Sequence, residues 1–336
     1  MSAPETWGDQ RVLDHGYVKL IDSMGTDETI IEAARMSTGK GFLGWGPGNA
    51  CEHCNMPQGE LHDYVTNEYP GTSGCKRCGI GVGAAVHNLA CNNPVGKHVW
   101  TAHKGDASLL EFLYKNNHHT PFEMCELTIE VKAPIFVFRE WHRHRTQSFN
   151  EFSARYSQME NVHYVPALER FTPKATGNKQ ADSANAMLRV PELQAQGYSV
   201  HPTPEELQRG VTDQQTVIYE EYDRMLAYGV PKEVARINTP VSRYSKMRAK
   251  TDLRNWLGFL KLRLDSSAQW EIRQYAEAVA KIVKALWPRT WALFDEYTLG
   301  AVTFSKGEIA ALRMAWSDMG PGVRAEIEKK LGKGAA

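Results

Sequence analysis

The stretch Arg139–Tyr156, REWHRHRTQSFNEFSARY, gathers Arg139, Arg143, Arg145 and Arg155 with His142 and His144 around the interior carboxylate Glu151 and the hydroxyls Thr146, Ser148 and Ser153. It continues directly from the apolar run Ala133–Phe138. Charge beside a core is costly unless it is paired or meets a ligand, and planar Arg forks suit phosphate, so the stretch reads as a pocket for polyanions. The plainer alternative for any arginine run is a solvated basic helix. The apolar first turns, and the change after Arg145 to a loop of Ser, Asn and Glu, argue against it.

Working outward, Cys125–Val131 alternates as a strand, and Pro134 is expected to open a helix to about Arg145, with Arg139 and Arg143 sharing a face at i,i+4. Upstream, Asp106–Asn117 is an amphipathic helix with Leu109, Leu110, Phe112 and Leu113 on its stripe, closed by the turn NNHHTPFE that carries His118, Thr120 and Glu123. Residues 11–37 read as a strand, VLDHGYVKLIDSMG, and a helix, DETIIEAARMS, capped by Thr26 or Asp27. Downstream, Thr203 and Glu206 make a capping box with Pro204 at the first helical position, opening a long helix that Gly229 stops. Pro231 then opens a shorter one. The basic segment Arg243–Arg263 interleaves Tyr244, Trp256 and Phe259, a pattern that can bind single-stranded nucleic acid. The helical spacing of Leu253, Trp256, Leu257 and Leu260 favours an amphipathic helix with a basic face instead. A further helix over 267–286 carries Gln269, Glu271 and Arg273 on its first turns.

Two stretches interrupt this pattern. Residues 171–204 are polar with several Pro and Gly, and residues 38–103 are rich in Gly, Asn, Pro, Cys and His with little periodicity, as expected of a subdomain held by something other than a core. The pairs Cys51-x2-Cys54 and Cys75-x2-Cys78 have the spacing of a four-thiolate zinc ribbon, each pair supplying two corners of a tetrahedron. Free thiols, or ligands drawn from His53, His62, His87 or Cys91, are the alternative. The run Gly79-Ile-Gly81-Val-Gly83 mimics a dinucleotide fingerprint but follows a Cys pair instead of a strand, so it is set aside.

Composition limits what the molecule does. Its 336 residues allow one large or two ordinary domains, and 39 Lys plus Arg against 39 Asp plus Glu give no net charge, so any anion site is local and the field does not point to nucleic acid or a membrane surface. No apolar run is long enough to span a bilayer, and MSAPETWGDQRV lacks a signal-peptide core, so the expected location is cytoplasmic.

Arg143-His144-Arg145, seven residues, then Ser153 is the RHRx7S pattern, and with it the chain resembles the flavin-dependent thymidylate synthases, the ThyX family. GYVKLIDSMG with AARMS, HHTPFE, VKAPIFV, SARYS, PKEVARI and LRLDSSAQWEIRQYA follow in that family's order. The resemblance implies an α+β fold of mixed helices around a central antiparallel-type sheet, here with the Cys-rich, zinc-ribbon-like insertion. It divides the chain into a catalytic domain over 1–297, interrupted at 38–103 and 171–204, and a helical appendage over 298–336.

The implied reaction is methylation of dUMP at C5, with methylenetetrahydrofolate as carbon donor and FAD reduced by NADPH as hydride donor. Arg143, His144, Arg145 and Glu151 correspond to flavin-binding residues, as do Ser37, His118 and Thr120, and Arg263 is grouped with them. Ser153, Arg155 and Arg273 correspond to the dUMP site, with Ser153 and Arg273 at the reacting pyrimidine. No His–Asp relay is spaced to activate Ser153, so it reads as a binding group, while Arg273 would stabilise charge developing on the ring. A phosphate-binding base lies among Arg243, Lys246 and Arg248. Family members are homotetramers with active sites shared between chains. Glu140 departs from the family's usual Gln near the nucleotide, and a carboxylate there repels a phosphate unless it turns toward Arg139 or Arg143 or is protonated. Glu140 is also the motive for a neighbouring reading, C5 hydroxymethylation of a uridine nucleotide; a zinc-ribbon nucleic-acid binder is the reading from another class.

Overall fold

The computed structural model describes residues 8–51, 61–63, 73–75, 100–171, 195–197 and 202–315. Its centre is a five-stranded antiparallel sheet in the order β1-β2-β7-β9-β8, built from β1 (Gln10–Val12), β2 (Gly16–Met24), β7 (Glu126–Pro134), β8 (Ser148–Glu151) and β9 (Tyr244–Asp252). Alternation decides which face is buried. Leu127, Ile129, Val131 and Ala133 of β7 and Met247 and Ala249 of β9 point into the core, and Glu126, Glu130, Lys246, Arg248 and Lys250 point to the other face. There Arg248 pairs with Glu130 at 3.2 Å and Lys250 with Glu126 at 2.6 Å.

The core face is covered by α1 (Asp27–Arg35), α2 (Ala107–Lys115), α3 (Ile135–Trp141), α6 (Leu253–Arg263), α7 (Trp270–Leu286) and α8 (Pro288–Phe294). Trp141, Trp256, Phe259 and Tyr275 interlock at its centre, with Trp141 and Phe259 centroids 4.6 Å apart and the Trp256 indole donating to the Leu127 carbonyl at 3.0 Å. The Tyr275 hydroxyl reaches the Lys132 carbonyl across Gly16, where a Cβ would sit 2.0 Å from the phenolic oxygen; only glycine fits. A smaller cluster packs Tyr222 of α4 (Pro204–Ala227) against Ala154, Met159 and Ala235, the last from α5 (Lys232–Ala235). These elements lie in one compact unit that runs to Phe294; from Asp295 a second unit carries α9 (Lys306–Ala315), opened by a reciprocal Ser305–Glu308 cap.

Several expectations change. The helix after Pro134 ends at Trp141 instead of near Arg145: the Trp141 indole donates to the Gln147 side chain at 2.9 Å, and residues 142–147 turn the chain back into β8 beside β9. The basic segment from Tyr244 to Asp252 is the fourth strand in the sheet order, and only the part from Leu253 is helical. Its bases at alternate positions, Lys246, Arg248 and Lys250, are the period-two signal that aromatic spacing further on obscured. Asp27 does not cap α1. It is buried and accepts from the backbone of Arg289 and Thr290, at 2.9 and 3.1 Å, and from the Thr290 hydroxyl at 2.6 Å, tying α1 to α8.

Asp106 likewise serves a different role from an ordinary N-cap. Fully buried, it holds the Arg35 guanidinium and accepts from the Leu43 amide at 2.6 Å, so it joins the end of α1 to both ends of the Cys-rich stretch. Of that stretch the described parts beyond residue 47 are strand pairs, β3 (Gly48–Cys51) with β6 (Trp100–His103) and β4 (Leu61–Asp63) with β5 (Ser73–Cys75), both antiparallel. Cys54 and Cys78 lie outside the described residues, as does most of 171–204.

Candidate active site

The turn between α3 and β8 is anchored from within. The His144 amide donates to the Trp141 carbonyl at 3.0 Å, and the Thr251 hydroxyl of β9 donates to the Thr146 carbonyl at 3.1 Å. Arg143 and Arg145 project outward from this anchored turn, and Arg139 from the last turn of α3; all are exposed and none has a side-chain partner among the described residues. Between them His144 faces inward. Its ring stands edge-on to Phe259 with centroids 4.8 Å apart, and its Nε2 accepts from Arg263 Nε at 3.0 Å. Burial, with Arg263 adding, pulls the His144 pKa down to about 4, so the imidazole is neutral with its proton on Nδ1.

Arg263 also engages Glu140. Its Nη2 donates to the Glu140 carbonyl at 2.9 Å and its Nη1 lies 3.3 Å from Glu140 Oε2. The carboxylate therefore turns neither to Arg139 nor to Arg143, but to a base on α6 that the sequence places far away. Burial raises the Glu140 pKa, with Glu271 adding and Arg263 opposing.

The remaining residues singled out in the sequence are spread over the chain. Ser153 Oγ accepts from the Arg155 amide at 3.4 Å and meets no histidine among the described residues. Arg155 is exposed, 3.6 Å from Glu233, and Glu151 is exposed on the edge strand without a side-chain partner among the described residues. Arg273 Nη1 reaches the Ser266 carbonyl at 3.4 Å. Ser37, its hydroxyl on the Ala34 carbonyl, and His118, beside Phe112, are exposed near the ends of α1 and α2, and Thr120 is exposed in the turn that follows.

Of the candidate phosphate bases, Lys246 is half-buried, 3.0 Å from Glu160, and its carbonyl accepts from the Phe152 amide, which puts it next to Ser153. Arg248 is engaged with Glu130. Arg243 is enclosed instead. Its guanidinium lies over Tyr219 and Tyr222, 4.9 and 5.4 Å from their centroids, and donates to the Glu160 carbonyl, while Nε and Nη1 find no partner among the described residues.

Beside Arg243, burial lowers the His163 pKa to about 4. A base whose pKa falls on folding adds stability above its unfolded pKa, near 6.5, and that stability is lost as pH drops toward 4. Urea unfolding at pH 7 and pH 5 should show a loss at pH 5 that shrinks by about 1 kcal/mol in His163→Gln, the full linkage halved because the ring is half-buried. An unchanged loss in the variant would refute this.

A group that the sequence reading left without a role centres on Glu271. This carboxylate, 3% exposed, takes the Arg170 guanidinium at 3.1 Å, the Tyr164 hydroxyl at 3.2 Å and the Gln269 amide at 2.8 Å. It lines a cavity of about 410 Å³ with Phe136, Tyr164, Gln215 and Ile218. Arg170 stands alone in the sequence with no spacing to its partner, and only the fold reveals the pair.

Arginines that are exposed and unpaired among the described residues thus flank an inward-facing histidine on an anchored turn, carried by an α+β protein whose antiparallel sheet has helices on its core face. The model of the thymidylate synthase complementing protein family, Thy1, matches residues 19–289. Proteins described as flavin-dependent thymidylate synthase are 33% identical in Ehrlichia ruminantium, covering 91% of this chain and 79% of that protein, and 35% identical in Thermus thermophilus, covering 97% of both. A solved structure of a UMP/dUMP methylase, PolB from Streptomyces cacaoi bound with 5-Br dUMP, superposes with a TM-score of 0.55 at 26% identity, over 86% of this chain and 98% of that one. The chain belongs to the thymidylate synthase complementing protein family, that of the flavin-dependent thymidylate synthases.

Proposed function

We propose that the chain is a flavin-dependent thymidylate synthase that converts dUMP to dTMP, with methylenetetrahydrofolate as carbon donor and NADPH as the source of reducing equivalents. The observation that carries this reading is the turn Arg143–Arg145, whose arginines are exposed and unpaired among the described residues while His144 between them is held neutral. FAD pyrophosphate, the dUMP phosphate and the folate carboxylates are all anions, and unpaired Arg forks match them without first breaking an ion pair. Bound FAD would supply the hydride that turns the added carbon into a methyl group.

The chain's own residues bind and orient. Arg143, Arg145 and the Nδ1–H of His144 hold the flavin, with Ser37, His118, Thr120 and Glu151 as further flavin contacts. Ser153, Arg155 and Lys246 hold the nucleotide, and Arg273 stabilises charge developing on the uracil ring as C5 attacks. The scatter of these residues over one chain supports a homotetramer in which each active site draws on more than one copy. Arg243, enclosed by Tyr219 and Tyr222, is dropped from the phosphate site in favour of Lys246. With dUMP and methylenetetrahydrofolate present, NADPH oxidation by the FAD-loaded protein should yield dTMP and tetrahydrofolate. Product from UMP but none from dUMP would favour the neighbouring reaction.

For the Cys-rich stretch we keep the zinc ribbon of Cys51, Cys54, Cys75 and Cys78. Its support is the spacing, together with the strands β3 and β5, which end on Cys51 and Cys75, the first cysteine of each pair. Metal analysis should find about one zinc per chain, lost in the Cys75→Ser, Cys78→Ser double variant. Full metal content in that variant would refute the ribbon. Residues 1–297 as catalytic domain and 298–336 as appendage complete the proposed organisation.

A further inference from the structure

Glu140 entered as the residue that fits least in a nucleotide site, and its surroundings give it another task. Its backbone oxygen and its Oε2 hold two nitrogens of the Arg263 fork, at 2.9 and 3.3 Å, while the third, Nε, donates to His144 at 3.0 Å. Both side chains are sheltered, Arg263 at 17% exposure and Glu140 at 27%. A guanidinium is planar, so fixing Nη1 and Nη2 fixes the direction of the Nε–H bond. That bond points at His144 Nε2, which can accept only if the imidazole is neutral and its proton sits on Nδ1. Phe259 blocks one side of the ring and the amide bond to Trp141 fixes its backbone, so the Nδ1–H direction is set as well.

We propose that Glu140 is a positioning residue: by orienting Arg263 it locks His144 as the Nδ1–H tautomer within the arginine turn, and it governs flavin retention instead of nucleotide affinity. The proposal rests on the reading of Arg143–Arg145 as the flavin turn. Glu140 makes no bond to Ser153 or Arg155 among the described residues, which separates it from the nucleotide half of the stretch. What Arg263 needs from the side chain is an acceptor oxygen, and burial already works against the carboxylate charge. Glutamine keeps that oxygen and leucine removes it.

The test compares Glu140→Gln and Glu140→Leu with the wild-type chain in three measurements. In 15N NMR of histidine-labelled protein without flavin, His144 should be a single Nδ1–H tautomer in the wild type and in E140Q, and a mixture in E140L. The FAD Kd should rise at least tenfold in E140L and stay within about threefold in E140Q, while dUMP Kd at saturating FAD stays within threefold in both. An unchanged tautomer in E140L, a Gln variant as impaired as the Leu variant, or a dUMP Kd that moves while the FAD Kd does not, would overturn the proposal. Arg143→Ala separates the two readings: if it binds FAD like the wild type, the flavin turn is wrong, and the tautomer measurement still decides whether Glu140 positions Arg263 and His144.

Discussion

Arg143→Ala is expected to purify as a folded but nearly colourless protein, with FAD affinity reduced about 30- to 150-fold. That range is the about 2–3 kcal/mol of a charged hydrogen bond to an anion. The side chain is exposed and bonds to nothing among the described residues, so no internal contact is lost and the melting temperature of the flavin-free protein should not move by more than a degree or two. Arg143→Lys should recover only part of the affinity, because an ammonium is a point charge without the fork. Flavin absorbance after equilibrium dialysis measures this directly. Retention of FAD by the alanine variant would mean that these exposed arginines serve another anion.

Asp106→Ala should be strongly destabilising. The carboxylate is fully buried, neutralises the half-buried Arg35 and accepts from the Leu43 amide, so its removal leaves a partly sheltered cation and an amide without their partner. Breaking one side of such a pair costs about 3–5 kcal/mol. For a chain of this size that lowers the melting temperature by roughly 4–7 °C, read by calorimetry on metal-replete protein. Asp106→Asn, which keeps an acceptor, should fall between. Ser37 sits two residues after Arg35, so flavin affinity should weaken in the alanine variant as well. A melting temperature within two degrees of the wild type would show that the Arg35 pair is dispensable.

These two residues mark how far the sequence could be read. Arg143 stands out in the sequence because a motif is a local arrangement of residue types at fixed spacing, and the structure puts it exposed on one turn. The helices α1, α2, α4 and α7 were legible for the same reason, through apolar periodicity, Pro204 and the Thr203–Glu206 box, and the box is present with bonds of 2.9 and 3.2 Å. Asp106 was read only as the start of a helix, because nothing local shows that its partner is Arg35, 71 positions away. For Glu140 only the neighbouring Arg139 and Arg143, or protonation, were weighed, since Arg263 lies 123 positions on. The strand β9 was missed because its outward face is basic and the helix beginning at Leu253 shares its aromatic spacing. In each case the deciding contact is long-range, and only the packing of the sheet against its helices brings the residues together.

The most direct measurement of the central claim is tritium release from 5-tritiated dUMP by the purified, FAD-loaded chain. Release that requires methylenetetrahydrofolate and NADPH together, with dTMP and tetrahydrofolate formed in equal amounts, is the predicted result. FAD-loaded protein that releases no tritium under these conditions would contradict it.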